Sequence, residues 1–600
     1  LKLSIKNSID LPNKTELTND DINNLNLVEW IDVGIRENEP GDNYSDANIQ
    51  NIANENISEL TNYRNIVNNR VQQATTKLYS LGIDSQYMHM PSNTSTIPVI
   101  QIRGKISDLK NKLESIKDQS FINKFFYIRH PEQQKPQTSP LLDVSDIMSD
   151  NTANEVVDVQ GWKATNIRVG VFEGSPGNET KDGVSYIGYD NIKVEEYYDP
   201  SKDPGSSSHA TTVIGIIKNT SGSCIAPDAK IYSANDYSYD SLEWAITGKE
   251  CRVINQSFHE AHEVDTGELS WEDILKDYLV LQYPYPFITS AAGNYSSTPE
   301  TSNLSVPSDE YCNHKGYNYI CVGNHDDFDS SGNPNGMRAS SVFRNPDSSH
   351  NDRELPEMCA NGTSVKLFDQ SRGSGTSFSS PAVAGAAALL QNMDNLLLYW
   401  PEGIRAILFS GTTHNIVDNN WSTDVRIIDG KDGVGALDVN TSGKIAQRRS
   451  SKDNSPCPRG WHCGVINDSA FGEDNLTTYS YWIGVPYNFN DQDNTKRNVK
   501  VALAWNSEIT NYTILGIDTG IRKSSDLKID LDLEVYDSSG NLVGYSNTWD
   551  NSYEVVEFMG NVNEKYEIKI RRWSGTGHSS YYGIAWNAGD GIFINYNKVL

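Results

Sequence analysis

The chain has 600 residues and a formal net charge of −29, with 37% hydrophobic and 22% charged residues. This length exceeds one hydrophobic core, so about two to four domains are expected, and the composition is that of a soluble globular protein. The acidic charge argues against nucleic acid as a partner, because phosphates would be repelled. The longest apolar run, AVAGAAALL, is too short to cross a bilayer, so no membrane span is predicted.

The N-terminal part divides into a polar arm and a small mixed segment. Residues 1–45 are rich in Asn and Asp and have few large apolar positions. Residues 46–135 alternate two helical patterns with two strand-like ones, and the first helix is expected to stop at Gly82. A polar stretch with three prolines, 130–143, reads as a linker. The sequence therefore predicts an arm followed by a small α+β domain.

The central part, 145–450, contains apolar runs that each end in a polar or glycine residue. The runs are 167–173, 251–258, 286–294 and 319–324. Such near-continuous runs favour parallel strands buried on both faces. In open α/β sheets, ligands bind outside the carboxyl ends of the strands, and these ends carry Glu173, Ser257 and Asn294.

The last part, 455–600, alternates apolar and polar residues at period two, with turn signals such as SSGN between the runs. This pattern predicts an all-β, jelly-roll-like sandwich. The fold class expected for the whole chain is α/β, with a parallel-sheet central domain, a small α+β N-terminal domain and a C-terminal β-sandwich.

The seven cysteines leave two interpretations open. Cys312 with Cys321, and Cys457 with Cys463, are spaced closely enough to bridge short loops, which would fit an extracytoplasmic protein. The alternative is buried free thiols, which pack as small hydrophobic groups. The odd count leaves at least one thiol free, and the absence of a CxxC pair argues against a zinc ribbon.

Four polar residues follow the order that a serine hydrolase could use. Glu173 ends a strand, His209 precedes an apolar helix, Asn294 follows a glycine, and Ser377 lies in a glycine-rich loop. Such an enzyme needs a nucleophile, a histidine base, a carboxylate that orients the base, and a donor for the oxyanion. Each residue alone is usually structural, so the argument depends on their order and surroundings.

The stretches around these residues form recognisable motifs. GTSFSSPAVAG at 375–385 matches every fixed position of G-T-S-x-[AS]-x-P-x-x-x-G, and AAGN at 291–294 is an intact oxyanion motif. HATTVIG at 209–215 keeps the His, Thr, Val and Gly of H-G-T-x-V-A-G. In these motifs the chain, from about 160 to 450, resembles the subtilisin-like serine proteases, the subtilase family (peptidase S8).

The resemblance implies a subtilisin-like catalytic domain and a role for each motif residue. Ser377 would be the nucleophile, His209 the general base, and Glu173 the carboxylate that orients the histidine. Asn294 and the Ser377 N–H would bind the oxyanion. The implied activity is a secreted or extracytoplasmic serine endopeptidase, at the cell surface or in the periplasm, that hydrolyses protein or peptide substrates without a cofactor. Pro381 is expected in the first turn of the helix that follows Ser377.

The segments expected to bind substrate are those beside the oxyanion motif. INQSF at 254–258 resembles the family's strand that pairs with substrate backbone. The residues assigned to this role are Ser257, Phe258, His259, Ala292 and Gly293.

Glu173 departs from the family pattern, in which the orienting carboxylate is Asp. Glu is one methylene longer, so the strand end or His209 must shift by about an ångström to keep a normal hydrogen bond. This change, with Ala210 and Ile214 in the histidine motif, keeps an alternative open: a catalytically impaired pseudoprotease that acts as a binding or regulatory protein. A processing protease with a single cognate substrate is a third reading.

The flanking domains also resemble parts of subtilases. Residues 46–135 look similar to the family's propeptide, which implies an intramolecular inhibitor and a zymogen cut within about 130–160. The sandwich resembles domains that follow the catalytic domain in bacterial members. Structural Ca²⁺ is a candidate there, with oxygen ligands from Asp530, Asp532 and Asp537, although alternating Asp in a strand more often marks a solvated face.

Overall fold

The computed structural model describes part of the 600-residue chain, and every structural statement refers to that part. The described residues are 2–5, 64–65, 68–69, 71–85, 88–89, 99–102, 122–126, 148, 151–173, 180–181, 184–185, 192, 194–198, 208–219, 223–235, 237, 239–258, 269–294, 312, 314–327, 336–338, 340–343, 353–366, 372–413, 432–487, 495–514 and 517–590. The second predicted helix of the N-terminal domain, the linker 130–143 and His259 lie outside them.

A small antiparallel sheet with the order β2-β3-β1-β4 forms the N-terminal part. Its strands are β1 (Lys2–Ile5), β2 (Met88–His89), β3 (Val99–Ile102) and β4 (Ile122–Phe126). Residues 71–80 are helical, and Gly82 after them has a φ of 88°, the left-handed conformation that suits glycine at a helix end. Because β1 pairs with β3 and β4, the first residues of the predicted arm belong to the sheet of the small domain.

Within the described residues, the central sheet has seven parallel strands in the order β13-β12-β11-β10-β5-β9-β8. The predicted runs form four of these strands, and β10, β11 and β12 are buried along their whole length. The strands here, with the separate hairpin β6–β7, are β5 (Arg168–Phe172), β6 (Thr180–Lys181), β7 (Val184–Ser185), β8 (Glu196–Tyr197), β9 (Lys230–Ala234), β10 (Val253–Gln256), β11 (Phe287–Ala291), β12 (Ile320–His325) and β13 (Met358–Asn361).

Helices cover both faces of this sheet. They are α1 (Ser208–Ile217), α2 (Tyr239–Glu243), α3 (Trp271–Val280), α4 (Thr376–Met393), α5 (Pro401–Gly411) and α6 (Val439–Ala446), with π-helical turns at Glu155–Val159 and Trp244–Gly248 and a 3₁₀ turn at Asn395–Leu398. The central one is α4, which packs on β10 to β13 and on α1. Its small residues permit this close packing: a Cβ at Gly385 would lie 2.8 Å from Ile225.

Two antiparallel sheets form the C-terminal sandwich, in the orders β16-β25-β18-β23 and β17-β24-β21-β22. Apolar side chains from both sheets, among them Trp505, Leu533 and Trp586, fill the space between them. The α/β-plus-sandwich fold class is therefore confirmed. The remaining strands are β14 (Val365–Lys366), β15 (Arg372–Gly373), β16 (Arg459–Ile466), β17 (Tyr481–Gly484), β18 (Lys496–Trp505), β19 (Glu508–Ile514), β20 (Ile517–Asp526), β21 (Asp530–Tyr536), β22 (Leu542–Ser546), β23 (Tyr553–Asn561), β24 (Lys565–Ser574) and β25 (Ser580–Asn587).

The sandwich packs directly on the central domain. Helix α5 is fully buried, and it lies against β18 and β25. Trp461, Tyr553 and Ala585 of the sandwich belong to the same apolar core as the helices of the central domain. Strand β25 approaches α5 closely, since a Cβ at Gly583 would lie 2.3 Å from the carbonyl oxygen of Glu402. One continuous core therefore joins the two parts of the chain.

All seven cysteines are free thiols, and six of them are buried. The two sequence-based disulfide candidates are therefore not formed; Cys312 and Cys321 do lie within hydrogen-bonding distance of each other in the core. In the described part of the chain, no helix combines the length and the apolar character needed to cross a membrane.

Candidate active site

The predicted catalytic residues meet at the carboxyl ends of the central strands. Glu173 directly follows β5, and Asn294 lies three residues beyond β11. His209 is the second residue of α1, and Ser377 is the second residue of α4. The ring of Phe378, next to Ser377, lies 5.9 Å from the ring of His209. Parallel strands end at one edge of a sheet, which is why residues so distant in sequence converge here.

Glu173 contacts His209 as the predicted triad requires. The distance from Glu173 Oε1 to His209 Nδ1 is 3.3 Å, at the long end for such a bond. The side chain of Glu173 is 2% exposed and that of His209 is 25% exposed. The backbone N–H of Glu173 donates to the carbonyl of Ala234 on β9, so the longer carboxylate starts from a fixed strand end. Its second oxygen, Oε2, is buried and has no hydrogen-bond partner among the described residues.

This contact controls the protonation of His209. Burial alone would lower the pKa of its imidazole, but the charge of Glu173 and the hydrogen bond to it outweigh burial, so the pKa is raised. The imidazolium form is therefore stabilised. A histidine in this position can hold a proton between two steps of a reaction, with Nδ1–H donated to Glu173 and Nε2 left for chemistry.

Ser377 is partly accessible, and it directly precedes Phe378, whose ring lies beside His209. Ser379 and Ser380 in the same stretch are fully buried, and Ser374 is exposed on the other side of Gly375. Ser377 lies in the first turn of α4, where the backbone N–H groups have no partner within the helix. Its N–H therefore makes no bond within the helix.

Pro381 does not occupy the first turn of α4, as the sequence predicted. The helix begins at Thr376, so Pro381 is its sixth residue. A proline has no N–H to donate to the carbonyl four residues earlier, which here belongs to Ser377. That carbonyl instead accepts a hydrogen bond of 2.9 Å from Ser257 Oγ. Pro381 therefore frees the backbone of Ser377 to contact the strand that follows β10.

The Asn294 side chain is held against the Ser377 loop. Its Oδ1 accepts from the N–H of Thr376 at 3.0 Å, and the N–H of Gly293 donates to Thr376 Oγ1 at 3.1 Å. A Cβ on Gly375 would lie 3.4 Å from Asn294 Nδ2, so this glycine lets the amide approach the loop. Because Oδ1 is used as an acceptor, Nδ2 is the half of the amide left to donate to a substrate.

A buried hydroxyl–amide network behind Ser377 was not predicted from the sequence. Asn255 Nδ2 donates to Ser257 Oγ at 2.9 Å, and Ser380 Oγ donates to Asn255 Oδ1 at 2.8 Å. Thr289 on β11 lies 3.1 Å from Ser380 Oγ. The network ties β10, β11 and α4 together behind Ser377. Its only sequence signal is a set of polar residues within apolar strands and an apolar helix.

The predicted substrate-binding residues differ in their surroundings. Ser257, Ala292 and Gly293 lie at the strand ends beside Ser377 and Asn294. Phe258 points its ring into the core, with the ring centroid 4.8 Å from that of Phe172, so only its backbone is at the strand edge. His259 and the loop 295–310 lie outside the described residues.

The three aspartates expected to bind Ca²⁺ do not form a site. Asp537 is partly exposed, and its carboxylate accepts hydrogen bonds from the backbone of Ser539 and from Asn541 in the turn after β21. Asp530 and Asp532 lie on one face of β21, where burial and the neighbouring acidic groups raise the pKa of Asp532 to about 7. Across the described residues, no cluster of His, Cys, Asp or Glu side chains could hold a metal ion.

Comparison with known proteins assigns the chain to a family. Residues 82–432 match the model of the subtilase family, peptidase S8, and the match covers more than half of the 600-residue chain. No curated protein matches the chain. The family match includes Glu173, His209, Asn294 and Ser377. The chain therefore belongs to the subtilase family.

Proposed function

We propose that this subtilase is a secreted serine endopeptidase that hydrolyses peptide bonds through an acyl-enzyme, with a Glu173–His209–Ser377 triad. The observation that carries the proposal is the position of His209. Its Nδ1 lies 3.3 Å from the buried carboxylate of Glu173, and its ring neighbours the loop that bears Ser377. The raised pKa of His209 supports its role as a base that must hold a proton transiently.

In the acylation step, Ser377 Oγ attacks the carbonyl carbon of the scissile bond and passes its proton to His209 Nε2. Glu173 keeps the imidazole in the tautomer with Nδ1–H and stabilises the imidazolium. His209 then gives the proton to the leaving amine as the C–N bond breaks. In the second step a water molecule loses a proton to His209 Nε2 and attacks the acyl carbon. His209 then returns that proton to Ser377 Oγ as the ester bond breaks, which releases the acid product and the free serine. No cofactor enters either step.

Negative charge on the carbonyl oxygen would be stabilised by Asn294 Nδ2 and the backbone N–H of Ser377. The proposal is supported by the hydrogen bond from Thr376 N–H to Asn294 Oδ1, which orients the amide before substrate arrives. Donors fixed in advance need no reorganisation during the reaction, which makes them effective in a partly buried site.

A serine-directed fluorophosphonate probe tests the proposal on the full-length protein. We expect the wild type to be labelled and Ser377→Ala to remain unlabelled. Ser374→Ala is the matched control, since it removes an exposed hydroxyl of the same loop, and it should label like the wild type. Equal labelling of Ser377→Ala, or no labelling and no peptide hydrolysis by the wild type after prolonged incubation, would contradict the triad and favour the pseudoprotease alternative.

We further propose that residues 46–135 act as an intramolecular inhibitor that the enzyme removes by cutting within about 130–160. The support is the family resemblance of this module and its small sheet. N-terminal sequencing after incubation of pure protein tests it, with Ser377→Ala as the uncleaved control. A wild-type protein that is active with its N-terminus intact would refute the inhibitor role. An extracytoplasmic location is part of the proposal, and immunodetection in cell fractions tests it.

A further inference from the structure

A buried lysine and a buried histidine lie beneath the two segments predicted to contact substrate. Lys276, on α3, is 1% exposed, and His314 is 0% exposed. Lys276 Nζ lies 3.1 Å from Gln256 Oε1, 3.3 Å from Ser290 Oγ and 2.9 Å from His314 Nδ1. Gln256 and Ser290 are paired residues of adjacent strands, β10 and β11. One ammonium group therefore bonds to both strands immediately before they reach the active site.

The contacts determine the tautomer of His314. An ammonium group has only donors, so Nδ1 of His314 must accept the bond from Lys276. The ring is then neutral and carries its proton on Nε2. Nε2 lies 3.0 Å from the carbonyl oxygen of Phe258 and donates to it. A directed chain of bonds thus runs from Lys276 through His314 to the backbone of the segment after β10.

The same segment reaches the other strand end. Cys312, two residues before His314, packs in one apolar cluster with Ala292, which follows β11. Cys312 and His314 therefore lie under both segments predicted to bind substrate. We take these segments as the two walls of the pocket for the P1 residue, the substrate residue on the N-terminal side of the scissile bond. One wall is Ser257–Phe258, and the other is Ala292–Gly293.

The charge of Lys276 acts on the buried carboxylate of Asp273 and, against the effect of burial, helps to lower the pKa of that group. Asp273, on the preceding turn of α3, accepts from the N–H of Lys315 at 3.0 Å and from the hydroxyl of Tyr319. Lys276 Nζ lies 4.1 Å from the centre of the Tyr319 ring. Ser270 and Asp273 form a capping box that fixes the start of α3. The lysine is therefore held by a rigid element rather than by a loop.

We propose that Lys276 and His314 are positioning residues that set the spacing and orientation of the two walls of the P1 pocket, and so its side-chain selectivity. This inference rests on the proposed peptidase function. Neither residue touches substrate or the reacting atoms. Their loss should loosen the walls relative to each other, so that substrates with well-fitting and poorly fitting P1 side chains are cleaved at more similar rates.

Two substitutions of His314 separate its two bonds. A glutamine can place its amide N–H near the position of Nε2 and keep the donation to Phe258, whereas an asparagine can keep an acceptor near Nδ1 but does not reach Phe258. The measured quantity is the ratio of kcat/KM between the best and worst members of a peptide p-nitroanilide series that differs only at P1. A single hydrophobic pocket discriminates by about 10- to 200-fold per missing methylene, so a collapse to within about threefold is measurable.

We expect His314→Asn and Lys276→Met to collapse this ratio, and His314→Gln to preserve most of it. The rate of labelling by a small fluorophosphonate without a P1 side chain should change little in all three variants. His325→Asn is the matched control: His325 is equally buried, but its Nδ1 bonds the carbonyl of Asp326, and the ratio should stay at the wild-type value.

The inference is overturned if His314→Asn keeps the wild-type ratio. It is also overturned if the ratio and the rate of fluorophosphonate labelling both fall in His314→Asn and in His314→Gln, because general loosening of the fold would have that effect. If Lys276→Met does not fold, the His314 pair and Ser290→Ala, which removes one partner of Lys276, still decide the question. Failure of the peptidase function gives a different result, since the wild type itself would then neither label nor hydrolyse the series.

Discussion

Buried charged side chains make different hydrogen-bond contacts at two places in the molecule. One is the edge of the central sheet formed by the carboxyl ends of its strands, and the other is the interface between the central domain and the sandwich. At the edge, Glu173 reaches His209 through one 3.3 Å contact, and its other oxygen has no partner among the described residues. At the interface, Lys500 Nζ lies 2.7 Å from both Thr412 Oγ1 and the carbonyl of Val434. The carboxylate at the edge thus keeps one oxygen without a partner among the described residues, whereas the ammonium at the interface joins the sandwich to two segments of the central domain.

Arg405 on α5 also bonds across the interface to the sandwich. Its guanidinium donates to the carbonyl of Trp505 at 3.1 Å and to Ser552 Oγ at 2.7 Å, both on the sandwich. Burial lowers the pKa of Arg405, against the pull of the nearby Glu357 and Glu402. Mutations at the edge should therefore change rates and leave stability intact, and mutations at the interface should do the opposite.

The largest effect is expected from Glu173→Gln. A neutral amide can donate to Nδ1 of His209 and select the wrong tautomer, so kcat should fall by about 10⁴-fold. Since Glu173 raises the pKa of His209, its removal lowers that pKa, and the acidic limb of the pH profile of kcat/KM should move to lower pH. Stopped assays across a pH series check both points. An unchanged acidic limb would show that Glu173 does not control His209.

Glu173→Asp tests the length of the carboxylate side chain while keeping its charge. The contact to Nδ1 is already 3.3 Å, so a shorter carboxylate in a fixed strand end should lose it. A misplacement of about 1 Å costs on the order of 10²-fold in rate, which places this variant between the wild type and Glu173→Gln. Full activity of Glu173→Asp would mean that the site adapts to either carboxylate.

At the interface, Arg405→Leu should destabilise the protein by about 3–5 kcal/mol, because buried acceptors and buried carboxylates lose their cation. Urea unfolding followed by tryptophan fluorescence measures this, in the Ser377→Ala background to prevent self-digestion. Arg338→Ala is the control: Arg338 pairs with Asp326 at 2.9 Å, but the two side chains are 42% and 36% exposed, so at most about 1 kcal/mol is expected. Equal shifts in the two variants would remove the distinction between the regions.

Asn294→Ala should reduce kcat by about 10²–10³-fold, the loss typical of one oxyanion donor, with little change in KM or in the unfolding midpoint. Steady-state kinetics with a peptide p-nitroanilide, corrected for active sites by fluorophosphonate titration, provide the comparison. A rise in KM at constant kcat would instead indicate that Asn294 binds the ground state of the substrate.

The smallest effect is expected from Ser257→Ala. Pro381 cannot donate to the carbonyl of Ser377, and this substitution removes the hydrogen bond that Ser257 Oγ donates to that carbonyl instead. One neutral hydrogen bond contributes about 0.5–1.5 kcal/mol, so kcat should fall between about twofold and tenfold. Ser380→Ala, deeper in the same network, is a useful companion variant. If it lowers kcat and Ser257→Ala does not, the network acts through α4 rather than through the carbonyl of Ser377.

Features encoded locally could be predicted from the sequence. The runs that became β5, β10, β11 and β12 are apolar on both faces, and this pattern is specific for buried parallel strands. The motifs likewise predicted that Glu173 and His209 belong to one site, and the two side chains are in contact. Their catalytic roles stay predictions. β13 (Met358–Asn361) was not predicted because it has only three consecutive apolar residues, a run too short to indicate a strand.

Features that depend on tertiary contacts could not be predicted. The position of Pro381 within α4 follows from where the helix starts, and that start is set by the packing of Thr376 against Asn294. The lysine–histidine pair joins residues 38 positions apart, 276 and 314, and a lone lysine on a helix is normally read as exposed. The domain boundaries proposed from composition also remain predictions.

The core shared by α5 and the sandwich would hold the two parts of the chain together after a proteolytic cut between them. The connection between the two parts is accessible, since Gln447, Arg448 and Arg449 are exposed, whereas Trp461 and Tyr553 are sealed in the core. A nick in this connection would cut the backbone without releasing either piece. An enzyme that damages its own copies would then persist as a two-fragment complex, and only denaturing electrophoresis would reveal the break.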